Sequence, residues 1–310
     1  MAEEFTPIFV GGTGRSGTTI ILNMLKSHPH FHSSMPRELR YITDRKGLID
    51  FNFKRSIKRE ESVRGVRNLI ASKILTLTGK GPAHVLVQRM QGVWWSQVGK
   101  KGKPRGLVQG VSAPELEAAL KVFLKAQKRD KMQASRELFY SLSSKQFQKD
   151  GVKFFADSTP INMMNADYIF KIFPEGKFIN MVRDGRDVAY SVSRERWGPN
   201  DPYEALAWWE KRIRLAQSAL SQLPDHQKIE LRLEDLVVRN REATYAKLFQ
   251  FIGLPDEGTV RKFFDEEMLP ERMHEGAWQS EVSDPEKYQK MYEKILQSLQ
   301  RDGISVEKFY

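Results

Sequence analysis

Cysteine is absent from this chain of 310 residues. Its absence excludes disulfides, thiolate metal sites and a cysteine nucleophile, and it fits a reducing compartment. Long hydrophobic runs are missing too: no apolar stretch approaches the roughly 18 to 20 residues a membrane-spanning helix requires. Met1 to Pro7 lacks a basic segment followed by an apolar one, the pattern of an export signal. These absences predict a soluble, cytoplasmic protein with no transmembrane segment. Acidic residues are in the minority, 39 Asp plus Glu against 50 Lys plus Arg, leaving a formal charge of +11. Such a balance favours polyanionic partners such as nucleic acid, an anionic surface or a phosphate-rich cofactor. The basic residues are spread along the chain, and only Gly99 to Gly106, GKKGKPRG, forms a dense cluster. That cluster reads as a solvated connection, so nucleic acid is not an expected partner.

There is no repeat, no low-complexity tract and no Ser/Gly linker, which points to one continuous domain over residues 1–310. Short apolar runs bounded by turn residues predict strands near Pro7 to Gly11, Val152 to Asp157, Lys177 to Val182 and Lys228 to Leu233. Apolar residues three and four apart predict helices over Thr18 to Ser27, Ala113 to Lys128, Ile161 to Ile172, Asp187 to Glu195, Pro202 to Leu220, Arg241 to Ile252 and Pro285 to Gln300. Strands alternating with helices imply a parallel sheet covered on both faces. From about 51 to 149 the pattern is helical without a convincing strand, so this stretch reads as a helical insertion that could form an acceptor pocket. Its Trp94 and Trp95 read as packing residues more than as ligand-stacking ones.

The densest chemistry lies in IFVGGTGRSGTTIILNML, Ile8 to Leu25, where an apolar strand meets an apolar helix through a loop of Gly, Thr, Ser and Arg. Glycines let backbone N–H groups crowd an anion, and the following helix points its positive end at it. Gly12 to Thr19 matches the nucleotide-triphosphatase loop G-x-x-x-x-G-K-[ST] except that Thr18 stands in place of the lysine. The lysine reaches the β and γ phosphates, so its loss weakens the case for ATP or GTP hydrolysis and leaves the anion cradle intact. Arg15 supplies positive charge instead, as a planar fork suited to two oxygens of one tetrahedral anion.

FINMVRDGRDVAYSV, Phe178 to Val192, repeats this logic: an apolar strand ends in Arg183, Asp184 and Gly185, and a helix begins. Ser191 follows Arg183 by about two helical turns, so a strand-end arginine and a helix-face serine could grip a second phosphate. Two anion sites imply a doubly phosphorylated ligand.

GRSGTT followed by MVRDGRDVAYS resembles the two cofactor motifs of the sulfotransferases that use 3′-phosphoadenosine 5′-phosphosulfate. The first is similar to their 5′-phosphosulfate loop in the RSGTT form seen in protein-tyrosine and many bacterial members. The second is similar to their 3′-phosphate motif. FADSTPINM, FPEGKFI and IELRLEDLVVRNREATYAKLFQFIGLP also resemble family segments, so the likeness covers most of the chain outside the insertion. The resemblance implies an α/β, P-loop-like three-layer fold with a central parallel β-sheet flanked by helices and a helical insertion on the acceptor side. It implies that Arg15, Ser16, Gly17, Thr18 and Thr19 surround the phosphosulfate, that Arg183 and Ser191 hold the 3′-phosphate, and that no metal takes part. It also implies an acceptor hydroxyl on a small molecule, carbohydrate or lipid.

An acceptor hydroxyl needs a base. MPRELRYITD, Met35 to Asp44, offers Glu38 between Arg37 and Arg40 and resembles the Lys-Glu segment of heparan-type sulfotransferases and, with a two-residue offset, the Glu-containing segment of the tyrosine enzymes. His28, His30 and His32 in HPHFHS stand at alternate positions that one strand face could share, and His32 is the second candidate base. No carboxylate or cysteine follows these histidines at ligand spacing, which argues against a metal site. Three positions depart from the family pattern. Ser158 stands where many members carry a lysine, a role Arg37, Arg40 or a C-terminal basic residue could fill. Leu233 stands where an aromatic precedes Glu-Asp-Leu, leaving the adenine contact unassigned. EGAWQSEVSDPEKY only loosely matches the cofactor-covering segment, so Trp278 reads equally as a lid or as core.

Two other function classes compete. In a P-loop kinase or NTPase, VKFFAD would be a strand ending in a magnesium-binding Asp157, which Thr18 argues against. A binding module for polyanions would use the net charge alone, with weak and strongly salt-dependent affinity.

Overall fold

A computed structural model of the chain describes residues 5–53, 81–98, 102, 104–147 and 151–309. Among the described residues there are seven strands: β1 (Thr6–Gly12), β2 (Phe31–Ser33), β3 (Gln97–Val98), β4 (Pro104–Arg105), β5 (Phe154–Asp157), β6 (Lys177–Val182) and β7 (Lys228–Arg232). The helices used below are α1 (Thr18–Leu25), α2 (Arg40–Thr43), α3 (Leu48–Asn52), α4 (Pro82–Gln91), α5 (Ala113–Ala126), α6 (Lys131–Ser144), α7 (Ala166–Ile172), α8 (Gly185–Ser193), α9 (Pro202–Leu220), α10 (Arg241–Ile252), α11 (Gly258–Glu267), α12 (Trp278–Glu281) and α13 (Pro285–Arg301).

Five strands form a parallel sheet in the order β2-β5-β1-β6-β7, flanked by helices. β2 and β5 run parallel with Phe31 opposite Phe154, and β6 and β7 run parallel with Phe178 opposite Lys228. From β1 the chain passes to β2 on one side and later to β6 on the other. The carboxyl end of β1 is therefore the point at which an open parallel sheet offers its crevice to ligands. β1 is buried along nearly its whole length, as the continuous apolar run of a two-sided sheet strand requires.

Local signals explain the helix boundaries. Asp201 caps α9 by accepting from the N–H groups of Tyr203 and Glu204, with Pro202 in the first turn. Ser112 and Glu115 form a capping box on α5, and Gly253 at φ 83° ends α10. Several elements differ from the sequence reading. Ile161 to Ile172 is not one α-helix: Pro160–Asn165 is a 3₁₀ turn that precedes α7. Tertiary packing dictates this, since the Asn162 side chain donates to the Val10 carbonyl and a side chain on Gly11 would lie 2.9 Å from the Pro160 carbonyl. Another difference is β2, absent from the strands predicted by apolar runs, because its three residues become a strand only by pairing with β5. The insertion also carries a two-residue ribbon, β3 with β4, beside its helices.

By internal contacts the chain divides into two compact units. Met1–Ile8, Pro29–Thr159 and Asp167–Gly176 form the first. Its core includes Phe5, Phe139, Phe155 and Phe173, with the Phe139 and Phe173 rings 4.7 Å apart. Trp94 is buried there under the Arg89 guanidinium, as the packing reading expects. Phe9–His28, Pro160–Ala166 and Lys177–Tyr310 form the second unit. There Val188 and Val192 of α8, Trp209 of α9, Tyr288 and Tyr292 of α13 and Phe309 share one apolar cluster. Trp278 joins this cluster at 5% exposure, its ring tilted against Tyr288 at 5.8 Å, as the core reading expects. Among the described residues, no helix is long and apolar enough to cross a membrane.

Candidate functional site

The turn after β1 is shaped by left-handed residues. Gly14, Arg15 and Gly17 have φ of 90°, 58° and 91°, left-handed backbone that glycine adopts at little cost. The turn is also tight: a side chain on Gly12 would meet the Met181 carbonyl at 2.4 Å and Ser16 Oγ at 2.5 Å, and one on Gly17 would meet Leu233 at 2.6 Å. α1 starts at Thr18 with neither a side-chain cap nor an acidic residue in its first turn, so its leading N–H groups keep their affinity for an anion. Ser16 is fully buried, and its Oγ has no hydrogen-bond partner among the described residues. Arg212 of α9 holds the turn by donating from Nη1 to the Thr13 carbonyl at 2.9 Å. Its guanidinium lies 3.9 Å from the Trp208 ring, and burial pushes its pKa down.

The second motif lies in the same unit. Arg183 follows β6, and Asp184 caps α8 by accepting from the Arg186 N–H. Arg183 donates to the carbonyls of Arg15 (3.3 Å) and His274 (2.5 Å), and its Nη2 lies 3.6 Å from Asp187. Its Nε is buried and without a partner among the described residues. Ser191 Oγ accepts from Arg15 Nε at 2.8 Å, and Arg15 Nη1 lies 3.7 Å from Glu195. Burial raises the pKa of Asp187, against the lowering effects of the Gly276 N–H and Arg183. Burial likewise raises that of Glu234, whose carboxylate accepts from the Asp184 N–H. Arg15, Arg183 and Ser191, expected from sequence to serve two anion sites, are thus joined directly. Ser16 and Thr18 are buried beside Arg15 in the loop, Gly17 is half-buried, and Thr19 is exposed on α1.

The other candidates belong to the first unit. Glu38 is exposed and lies just before α2. On one side of it the Arg37 carbonyl accepts from the Ser158 N–H at 3.0 Å and from Ser34 Oγ at 3.1 Å. On the other side the Leu39 N–H donates to Asp157 Oδ1 at 2.8 Å, which also accepts from Thr159 Oγ1. Arg40 is paired with Asp44 at 2.7 Å, and Arg37 is exposed. The three histidines do not share a strand face. Of the three only His32 lies in β2. Its ring stacks on Phe155 and tilts against Phe147. His28 is in the turn after α1 with Nε2 near the Pro255 carbonyl, and His30 Nδ1 donates to the Gly151 carbonyl.

The model of the sulfotransferase family matches residues 7–68 and 94–258, segments that contain Arg15, Glu38, Asp157, Arg183 and Ser191. The chain belongs to the sulfotransferase family. Among curated relatives, protein-tyrosine sulfotransferase 2 of Gallus gallus is 22% identical over 264 residues, 84% of this chain and 54% of that protein. Protein-tyrosine sulfotransferase 1 of Danio rerio is 22% identical over 258 residues, 82% of this chain and 54% of that protein. The chain spans about half the length of these relatives. Among solved structures, the sulfotransferase domain from the Synechococcus PCC 7002 olefin synthase superposes with a TM-score of 0.52 at 17% identity, covering 98% of this chain and 96% of that one. The sulfotransferase domain from the curacin biosynthetic pathway gives 0.51 at 16% identity, covering 97% and 98%. These likenesses carry the fold, and the α/β, P-loop-like architecture expected from the sequence is the one observed.

Within this family member, sequence reading missed three contributors. Arg212 holds the first turn, the His274 carbonyl holds Arg183, and Asp157 holds the peptide after Glu38. Only Asp157 carried a signal, as the acid that ends an apolar strand.

Proposed function

We propose that this chain binds 3′-phosphoadenosine 5′-phosphosulfate and transfers its sulfuryl group to a hydroxyl of a small-molecule, carbohydrate or lipid acceptor. The observation that carries the reading is Arg15. Its backbone forms the anion turn, its side chain donates to Ser191, and its carbonyl accepts from Arg183, so donors for two anionic groups are gathered in one cluster. The donor set fits a doubly anionic nucleotide: Ser16 Oγ and Arg183 Nε are buried without partners among the described residues, and anion oxygens would satisfy both. When bound, that nucleotide supplies a sulfuryl group activated on a phosphate. Arg15, Ser16, Gly17, Thr18 and Thr19 hold its phosphosulfate end, where N–H groups, hydroxyls and a guanidinium stabilise charge developing on the oxygens. Arg183 and Ser191 hold the 3′-phosphate.

Glu38 accepts the proton of the attacking hydroxyl. His32, committed to its aromatic stack, is the second choice. Arg37, exposed where Arg40 is paired with Asp44, takes the place of the lysine missing at Ser158. Residues 1–310 act as one sulfotransferase domain whose insertion at about 51–149 selects the acceptor, and the protein works in the cytoplasm. Donor-dependent sulfation of an acceptor panel, in the presence of a metal chelator, tests the reading. Glu38→Gln should lower turnover at least about 100-fold while leaving affinity for adenosine 3′,5′-bisphosphate within about twofold. Full turnover by that variant would remove Glu38 from the chemistry.

A further inference from the structure

Glu38 is an exposed residue just before α2. A base that must meet a hydroxyl within hydrogen-bond reach needs its backbone held. The two peptide groups that flank Glu38 are both tied to the end of β5. The Arg37 carbonyl, before it, accepts from the Ser158 N–H at 3.0 Å and from Ser158 Oγ at 3.3 Å. The Leu39 N–H, after it, donates to Asp157 Oδ1 at 2.8 Å. Asp157 is 1% exposed, and Thr159 Oγ1 donates to the same Oδ1 at 2.8 Å, which fixes the carboxylate's rotamer. Leu39 stands at the N-cap of α2 and no side chain caps that helix, so its N–H would otherwise be an unanswered donor in a segment that is itself buried at Leu39 and Tyr41.

We infer that Asp157 is the positioning residue for the base: through Oδ1 it clamps the Leu39 amide and, with the Ser158 backbone on Arg37, sets the direction in which Glu38 leaves the chain. The inference rests on the reading of Glu38 as base, and it assigns Asp157 no contact with donor or acceptor. It also gives Asp157 a role different from that of a strand-end acid in a magnesium-dependent NTPase. The magnesium role needs the negative charge. The clamp needs an acceptor atom at Oδ1, which asparagine also provides.

The test compares Asp157→Asn and Asp157→Ala in the full chain, with Glu38→Gln alone and combined with Asp157→Ala. Asp157→Asn should retain sulfation within about fivefold, because Oδ1 is preserved. Asp157→Ala should lose about 100-fold in kcat, the size of effect a misplacement of about 1 Å produces, with affinity for adenosine 3′,5′-bisphosphate unchanged. In the Glu38→Gln background, Asp157→Ala should cost no further rate, since the group it positions is gone. Hydrogen exchange gives an independent reading: the Leu39 amide should be protected in the native protein and in Asp157→Asn and unprotected in Asp157→Ala. A 100-fold loss in folded Asp157→Asn overturns the inference, as does an additive loss in the double variant. If Asp157→Ala does not fold, Asp157→Asn and the native Leu39 amide decide, and rapid exchange of that amide overturns it. Full activity of Glu38→Gln would instead defeat the reading of the base, while the exchange data would still judge the clamp.

Discussion

Arg15 Nε donates to Ser191 Oγ at 2.8 Å across a separation of 176 residues, tying the turn after β1 to helix α8. Each group is a donor suited to an anion, and here each is partly satisfied by the other. In the proposed function, an incoming nucleotide shares or replaces that bond, so affinity at one proposed anion site is coupled to order at the other.

Replacing Ser191 with alanine should expose this coupling. The variant loses a hydroxyl donor to charged oxygen and frees Arg15, and its dissociation constant for adenosine 3′,5′-bisphosphate should rise about 10-fold. Stability should stay within about 0.5 kcal/mol, because the site is partly exposed and alanine favours a helix. Calorimetric titration together with urea unfolding checks both halves, and unchanged affinity would contradict the assignment of Ser191.

Arg212 supports the loop from α9 through the Thr13 carbonyl. Arg212→Leu leaves that buried carbonyl without this donor and removes the stacking on Trp208, and it should cost about 1–3 kcal/mol of stability. A urea midpoint equal to that of the native protein would show that the loop does not depend on it.

Gly17 sits at φ 91°, and a side chain there would approach Leu233 at 2.6 Å. Gly17→Ala should lose about 1–2 kcal/mol from the left-handed backbone alone. Adding Leu233→Ala relieves the contact but not the dihedral, so the double variant should not recover the stability of Leu233→Ala by itself. Full recovery in denaturant titrations would mean that crowding, and not backbone conformation, fixes glycine here.

Asp187 provides a pH test. Burial holds its folded-state pKa above the ordinary carboxylate value. Folding therefore favours the protonated form, and that contribution is complete below the ordinary value near 4 and is lost as pH rises through the raised one. Relative to Asp187→Asn, the native protein should lose stability as pH climbs from about 4 toward neutrality. The asparagine oxygen can still accept from the Gly276 N–H, and Glu234, also raised, is common to both proteins and drops out of the difference. Parallel stability curves across this range would contradict the burial argument.

Much of this was legible locally. β6 spans Lys177–Val182 as its apolar run predicts, and α9 and α10 begin and end where Asp201-Pro202 and Gly253 place their boundaries. The tight turn after β1 was legible because left-handed backbone favours glycine, and Gly14 and Gly17 adopt it beside Arg15. What stayed hidden is carried by partners far apart in sequence: 199 residues separate Arg212 from Thr13, 118 separate Leu39 from Asp157, and 91 separate Arg183 from His274. The last of these uses a backbone carbonyl, which no residue type reveals. β2 belongs with them, since pairing with β5 and not its own three residues makes it a strand.

The most direct test of the proposed two-anion site compares adenosine 3′,5′-bisphosphate with adenosine 5′-monophosphate on the native protein and on Arg183→Ala. The native protein should prefer the bisphosphate by about 10- to 100-fold, the value of one or two charge-assisted hydrogen bonds, and Arg183→Ala should abolish the preference while binding the monophosphate as before. Equal affinity of the native protein for the two nucleotides, or equal weakening of both by Arg183→Ala, would contradict a dedicated 3′-phosphate grip at Arg183 and Ser191.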